Sequence, residues 1–232
     1  MINTAAESFD ASERPVPSDA VVVATGGAPL DPASVAALPP DAFVVAADGG
    51  LDWALAAGLV PGALVGDLDS VSAIGRAWAD EHAEVVLHPA DKAATDTELA
   101  IEHALGRPLR RLVLIAGRGD RIDHTVAAIG ALGSATLEAV EVVEAWWGAD
   151  HLHLASPRRP VTLHDPAGTT FSVLCMHGAS RGVSISGARW PLTNADLGPL
   201  VGAGVSNRVV DPPAEITVGE GVLTVMIPGA QP

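Results

Sequence analysis

The chain has 232 residues, 48% of them hydrophobic, and a formal net charge of −15; it is long enough for one large domain or two modest ones and too apolar for wholesale disorder. The acidity argues against a general nucleic-acid surface, which needs clustered positive charge. The longest apolar runs, such as residues 21–24 and 112–116, fall far short of the roughly 18 residues of a membrane span. The single cysteine, Cys175, excludes an intramolecular disulfide and a multi-cysteine zinc site.

Residues 1–17 are polar and acidic and lack the basic start and apolar centre of a signal peptide, so they are expected to form a disordered tail on a cytoplasmic protein. From residue 18 the chain alternates short apolar runs with segments of helical spacing. VVVAT (21–25), FVVAAD (43–48), ALVGD (63–67), VVLHP (85–89), RLVLIAG (111–117) and EAVEVVEAW (138–146) read as strands. The intervening stretches around 33–38, 51–57, 71–82, 98–105 and 125–132 read as helices. This alternation predicts an α/β domain over residues 18–148, three layers deep, with a mostly parallel sheet. After the sequence WWG (146–148) the texture changes. HLHLAS, RPVTLH, TTFSVLCM, GVSISGARW, SNRVV and EITVGEGVLTVMIP are short, alternating and broken by Gly, Pro and Asp, which predicts an antiparallel β-sandwich over residues 149–232.

In an open parallel sheet, ligands bind outside the carboxyl ends of the strands. Four successive ends here are acidic: Asp48-Gly49-Gly50, then Gly66-Asp67-Leu68-Asp69-Ser70, then DKAATD (91–96), then GRGDRID (117–123). Carboxylates gathered at one edge repel one another unless a cation relieves them, and Mg²⁺ takes carboxylate and phosphate oxygens. Asp67 and Asp69 stand two apart and would face the same way in an extended segment. Each motif also has a purely structural reading. Asp69 or Ser70 caps the helix beginning near Val71; Thr95 and Glu98 form a capping box; Asp96 gains from the helix dipole; Asp123 caps the helix through Val126. Of the thirteen basic residues only Lys92 is not arginine, and it lies among acidic groups. GRGDRIDHT (117–125) contains an adhesion-type Arg-Gly-Asp, but beside the other strand ends it reads as a phosphate-gripping turn leading into a helix.

ADGG (47–50), GDLDS (66–70), DKAATDTELA (91–100), GRGDRIDHT (117–125) and GARWPLTNADLGPLVGAGVSNRV (187–209) stand in the order and spacing of thiamine pyrophosphokinases. The resemblance spans roughly residues 20–227. It implies transfer of the pyrophosphoryl group of ATP to the hydroxyl of thiamine, giving thiamine diphosphate and AMP, in a homodimer with shared active sites. On that resemblance Asp67, Asp69 and Asp96 hold Mg²⁺, and one of them or Asp48 takes the hydroxyl proton. Asp48, Gly49, Lys92, Thr95, Arg121 and Asp123 handle ATP and its phosphates. Trp190, Ser206 and Asn207 contact thiamine, the indole through stacking and cation–π attraction. Trp190 reads otherwise as a core residue, and Ser206 and Asn207 as a turn. Trp53, Trp78, Trp146 and Trp147 are assigned to packing. One departure from the family pattern is visible: Ala93 and Ala94 stand where acidic residues are frequent, which puts a role for Asp91 in question. The rival readings are a diphosphokinase acting on a hydroxymethyl pterin, a phosphatase with Asp67 as nucleophile, and a non-catalytic ATP sensor.

Overall fold

The structure is a computed structural model that describes residues 19–119 and 121–230. The tail expected over residues 1–17, and Asp120 of the GRGDRIDHT turn, lie outside the described residues. The unbroken apolar runs form parallel strands: β1 (Ala20–Thr25), β2 (Phe43–Ala47), β3 (Ala63–Gly66), β4 (Glu84–Leu87), β5 (Arg111–Ala116) and β6 (Val142–Trp147). Runs of Val, Leu and Ala without polar alternation suit strands covered on both faces, and β1 and β3 are buried along their whole lengths. The six pair in the order β6-β5-β1-β2-β3-β4, every neighbouring pair parallel.

The crossovers carry α1 (Pro32–Ala36), α2 (Gly50–Ala56), α3 (Ala73–His82), α4 (Asp96–Leu105) and α5 (Ile122–Leu132). The first three cover one face, around Leu30, Leu51, Ala54 and Trp146, and α4 and α5 cover the other, around Ile101, Ile129 and Leu132. From β1 the chain runs outward to β4, returns through α4, and lays β5 on the other side of β1. The strand order therefore reverses between β1 and β5, the place where a ligand crevice opens in sheets of this kind.

The remaining strands are β7 (Asp150–Ala155), β8 (Val161–Leu163), β9 (Thr170–Leu174), β10 (Ser180–Ser186), β11 (Leu192–Leu197), β12 (Asn207–Arg208), β13 (Ala214–Thr217) and β14 (Leu223–Ile227). β8, β10, β11 and β13 form an antiparallel sheet in the order β11-β10-β13-β8. It packs on the other four strands through Phe171, Val173, Ile185, Ile216 and Val225. The α/β layer with a mostly parallel sheet, followed by antiparallel β-structure, is the fold class expected from the sequence.

The two halves share one sheet. At Gly148, whose φ of +55° suits glycine, β6 turns back into β7, and β7 bonds β6 in antiparallel register. The sheet then runs on through β14 and β9 to β12, making ten strands among the described residues. Three element ends differ from the sequence reading. β6 starts at Val142 rather than near 138, because residues Ala135–Leu137 form a 3-10 turn that buries Leu137. β4 ends at Leu87 rather than Pro89. α3 starts at Ala73, capped by Ser72.

Arg159 ties the junction together. It is buried, and its Nε donates to Leu154 O at 2.7 Å while its Nη1 donates to Leu137 O at 3.0 Å and Val140 O at 2.7 Å. Burial pulls its pKa down, and three carbonyls from the 3-10 turn, the approach to β6 and the end of β7 compensate the guanidinium. Arg159→Met should strand those carbonyls at a cost of roughly 2–4 kcal/mol. Urea unfolding monitored by circular dichroism would measure it, and a loss below 1 kcal/mol would show that water replaces the fork.

Candidate active site

A cleft of about 680 Å³ opens at the carboxyl edge of the parallel strands, within the range of about 300–1,000 Å³ usual for small-molecule sites. Thr25 at the end of β1 with Gly26 after it, Asp48 and Gly49 after β2, Asp67 after β3, Lys92, residues 95–97 at the start of α4, and Arg121 with His124 at the start of α5 all line it. Among the described residues none beyond Trp147 lines it.

Local backbone geometry brings the acidic groups together. Asp48 takes φ +46° directly after β2, with its N–H still bonded to Val65 O at 2.9 Å, so the chain turns sharply into α2. A Cβ at Gly50 would lie 2.4 Å from Ala24 O, so only glycine lets α2 begin this close to β1. Gly66, at φ +149°, leaves the space that a Cβ would take, 2.9 Å from Asp96 Oδ1 and 3.2 Å from Asp48 Cβ. Asp48, Asp67 and Asp96 each present a carboxylate oxygen to a common point, all within 4.8 Å of one another.

Lys92 lies against this group, with Nζ 2.9 Å from Asp67 Oδ2 and 3.0 Å from Asp96 Oδ1. The Lys92 contact lowers the pKa of Asp67. Burial pulls the lysine the other way, but the hydrogen bonds and charges of Asp67 and Asp96 prevail and raise its pKa. At Asp48 burial dominates and lifts the pKa, with the Asp96 charge adding to it, against opposing hydrogen bonds from Gly49 and Ser70. Two carboxylate oxygens, Asp48 Oδ1 and Asp96 Oδ1, are buried without a directional hydrogen bond among the described residues, although Asp96 Oδ1 has its ion pair. One ammonium does not compensate three carboxylates at this spacing. The unmatched, hard oxygen donors therefore fit a small divalent cation such as Mg²⁺.

Asp69 falls outside this group. Leu68 takes φ +66°, so the segment is not extended there and the two-residue alternation is lost; Asp69 is exposed and accepts a bond from Ser70 Oγ at 2.9 Å. Neither Asp69 nor Ser70 caps α3. Ser72 does, and Asp52 holds Ser72 by its N–H (2.8 Å) and hydroxyl (2.6 Å). Thr95 and Glu98 do form a capping box, while Thr95 also lines the cleft. Asp96 occupies the first helical position, facing the cleft beside Lys92.

Asp123 is not the cap of α5 but sits in its first turn, and Arg121 is the N-cap. The Arg121 guanidinium grips Asp123 at 2.6 and 3.2 Å and holds that carboxyl at a pKa of about 2. Asp123 does not line the cleft; through this pair it orients Arg121, which does.

The sandwich segment stands apart. Trp190 is 52% exposed, with the Arg189 guanidinium 4.9 Å from its ring centroid, so it is not a core residue. The buried Asn207 amide is committed to the Trp190 backbone, accepting from its N–H (3.1 Å) and donating to its carbonyl (2.8 Å), while also accepting from Arg208 N–H. Asn207 thus positions the tryptophan. Ser206 is exposed at φ +59°, its N–H bonded to Ser172 Oγ.

Sequence reasoning missed several lining residues. Trp53 and Trp147, assigned to packing, border the cleft. Trp147 is the last residue of β6, so the strand-end rule applied to the acidic motifs would have found it. Thr25 and Thr97 share a buried 2.7 Å hydroxyl contact that joins the end of β1 to α4, and no sequence spacing signals that pair.

An acidic, lysine-bridged cleft at the switch point of a parallel sheet, joined to an antiparallel sandwich, defines a two-part α/β–β protein whose cleft carboxylates could hold a divalent cation. Two family models match the chain: Thiamin pyrophosphokinase, catalytic domain, over residues 37–143, and Thiamin pyrophosphokinase, vitamin B1 binding domain, over residues 160–223. Together they span about three quarters of the sequence, and the chain belongs to the thiamin pyrophosphokinase family.

Among solved structures, the thiamine pyrophosphokinase of Bacillus subtilis is 21% identical over 90% of this chain and 97% of its own, with a TM-score of 0.75. A thiamin pyrophosphokinase family protein of Enterococcus faecalis is 24% identical over 90% and 98%, with a TM-score of 0.73. Thiamin pyrophosphokinase from Candida albicans is 14% identical over 90% and 88%, with a TM-score of 0.70. At these identities the likeness is one of fold. No curated protein matches the chain.

Gly66→Ala tests the geometry, since the methyl would press on Asp96 and Asp48 from a backbone conformation that L-residues rarely adopt. Turnover should fall about a hundredfold in a folded protein, the scale of a 1 Å misplacement at a reacting centre. Wild-type kinetics in that variant would show that the carboxylate spacing is not critical.

Proposed function

We propose that this chain transfers the pyrophosphoryl group of ATP to the hydroxyl of thiamine, forming thiamine diphosphate and releasing AMP. The observation that carries the reading is the convergence of Asp48, Asp67 and Asp96 with Lys92 in one cleft on a chain that matches both the catalytic and the vitamin B1 binding family models. The thiamine oxygen attacks the β-phosphorus in line as AMP leaves. Positioning and neutralisation of phosphate charge dominate such a step.

Asp67 and Asp96 would hold Mg²⁺, with Asp48 closing the group and Asp69 near its rim. The ion, when bound, neutralises charge on the phosphate oxygens. Lys92 sets a point charge between Asp67 and Asp96, where the phosphates approach. Arg121 presents its planar fork from the start of α5, oriented by Asp123, and grips phosphate oxygens bidentately. Gly49 lines the cleft beside Asp48, and Thr95 lines it while capping α4, so both stand where the nucleotide would lie. Asp48 is the group suited to accept the hydroxyl proton, because burial raises its pKa and one of its oxygens has no hydrogen bond among the described residues.

Thiamine is a flat, permanent cation, and an exposed indole held in place by Asn207 suits it through stacking and cation–π attraction. Among the described residues the lining of the cleft ends at Trp147, and Trp190 is half exposed within its own chain. Both facts support a homodimer in which Trp190 and Ser206 of one protomer meet the cleft of its partner. No helix among the described residues is long and apolar enough to cross a membrane. The single cysteine and the use of ATP support a cytoplasmic location.

Incubation with ATP, Mg²⁺ and thiamine should yield AMP and thiamine diphosphate in equal amounts on chromatography. ADP with thiamine monophosphate would place the attack at the γ-phosphorus and overturn the geometry. Trp190→Ala should raise the thiamine KM about tenfold or more, the scale of a desolvated cation–π contact, with kcat changed far less. An unchanged KM in a folded dimer would remove the indole from the thiamine site. Asp96→Asn should abolish turnover while leaving the unfolding midpoint near that of the wild type. Near-normal activity in that folded variant would sink the assignment.

A further inference from the structure

A second convergence of donor atoms lies outside the cleft, on the hairpin that carries the sheet from one half of the molecule into the other. The antiparallel register sets Glu144 of β6 opposite His153 of β7 and Trp146 opposite His151. Because side chains alternate along a strand, these groups share one face. Glu144 is only 3% exposed. Its Oε1 accepts from Arg111 Nε at 2.9 Å and Nη2 at 2.6 Å. That pairing already compensates the carboxylate charge and fixes the plane of the group, leaving Oε2 turned toward the two imidazoles.

His151 Nε2 lies 3.3 Å from Oε2 and His153 Nδ1 lies 3.7 Å from the same oxygen. The second distance is too long for a hydrogen bond. Stacking on the buried Trp146, at 4.0 Å between centroids and 5° between planes, holds the His151 ring, and the two imidazole centroids are 4.0 Å apart. The three donor atoms lie within 4.8 Å of one another. In a tetrahedral site with bonds near 2.0–2.1 Å, neighbouring ligand atoms stand about 3.3–3.4 Å apart. The 3.3 Å His151 contact matches such an edge as well as a hydrogen bond, and the His153 contact is a few tenths of an ångström wider.

We propose that Glu144 Oε2, His151 Nε2 and His153 Nδ1 form a site for Zn²⁺ or a closely similar transition-metal dication, separate from the catalytic cleft. Two imidazoles and one carboxylate are a ligand set for such ions, whereas Mg²⁺ and Ca²⁺ take all-oxygen sites. The Arg111 pair acts on Glu144 as an outer partner that orients a ligating carboxylate. Both histidine side chains are partly open to solvent, at 17% and 22%. A metal there would clamp β6 to β7 at the junction of the two halves.

The test is equilibrium dialysis of the full-length protein against Zn²⁺ in excess Mg²⁺, which keeps the carboxylate cleft occupied, followed by metal analysis. One Zn²⁺ per chain is expected, with Asp67→Asn retaining it and His151→Gln or His153→Gln binding at least about a hundredfold more weakly. Should either variant fail to fold, long-range ¹H–¹⁵N spectra of the wild type decide the matter: Zn²⁺ should shift Nε2 of His151 and Nδ1 of His153. No zinc retained in excess Mg²⁺, or zinc retained with both histidine spectra unchanged, would overturn the proposal.

Discussion

Three carboxylates meeting within 4.8 Å around a single ammonium are the constraint on which the site depends. Such a cluster is unfavourable alone, because neighbouring like charges raise one another's free energy. It persists here because each aspartate is delivered by a separate element whose position is settled by its own packing. Asp48 leaves β2, Asp67 leaves β3 and Asp96 opens α4, and all three elements are anchored in the buried sheet and the helices over it. Stability comes from the apolar layers, and the edge carries an electrostatic cost that a cation would relieve. Lys92 offsets part of that cost and leaves a negative excess.

The cleft also depends on close approaches that side chains would prevent. Gly50 lets α2 start against Ala24, and Gly66 lets Asp96 and Asp48 come together across the end of β3. Around these contacts lies a supporting shell: the Thr25–Thr97 hydroxyl pair, the capping box of Thr95 and Glu98, and Asp52 holding the cap of α3. In the sandwich, Asn207 does comparable work by holding the backbone on either side of the Trp190 side chain. These groups position others, and their side chains are consumed in doing so.

Continuity of the sheet joins the two halves. β7 extends the parallel layer by antiparallel pairing to β6, so the second half grows from the edge of the first instead of hanging from a linker. The junction gathers the most polar buried groups away from the cleft: Arg159 on three carbonyls, and Glu144 among Arg111, His151 and His153. At Glu144 burial works to raise the pKa, but the hydrogen bonds of His151 and Arg111 prevail and lower it. Burial pushes His153 the opposite way for a base, down to about 4, leaving its ring neutral near pH 7.

Much of this was legible in the sequence because it follows from local periodicity. Buried parallel strands read as unbroken Val, Leu and Ala runs, the sandwich as alternation broken by Gly and Pro, and the acidic motifs fell at strand ends because chain direction alone puts them at one edge. What local pattern could not supply was the direction of individual side chains. Leu68 in a left-handed conformation turns Asp69 out of the group that spacing alone assigned it to, and the 3-10 turn before β6 moved a strand start by four residues. The exposure of Trp190, the commitment of the Asn207 amide, the place of Trp53 and Trp147 beside the cleft, and the meeting of Glu144 with two histidines each depend on neighbours distant in the chain. By itself the sequence determined the elements, their order and the edge that carries the chemistry, since these arise from hydrophobic burial and backbone propensity. Only the tertiary structure decided which carboxylates converge and which aromatic rings face solvent, because those outcomes rest on backbone turns and long-range packing.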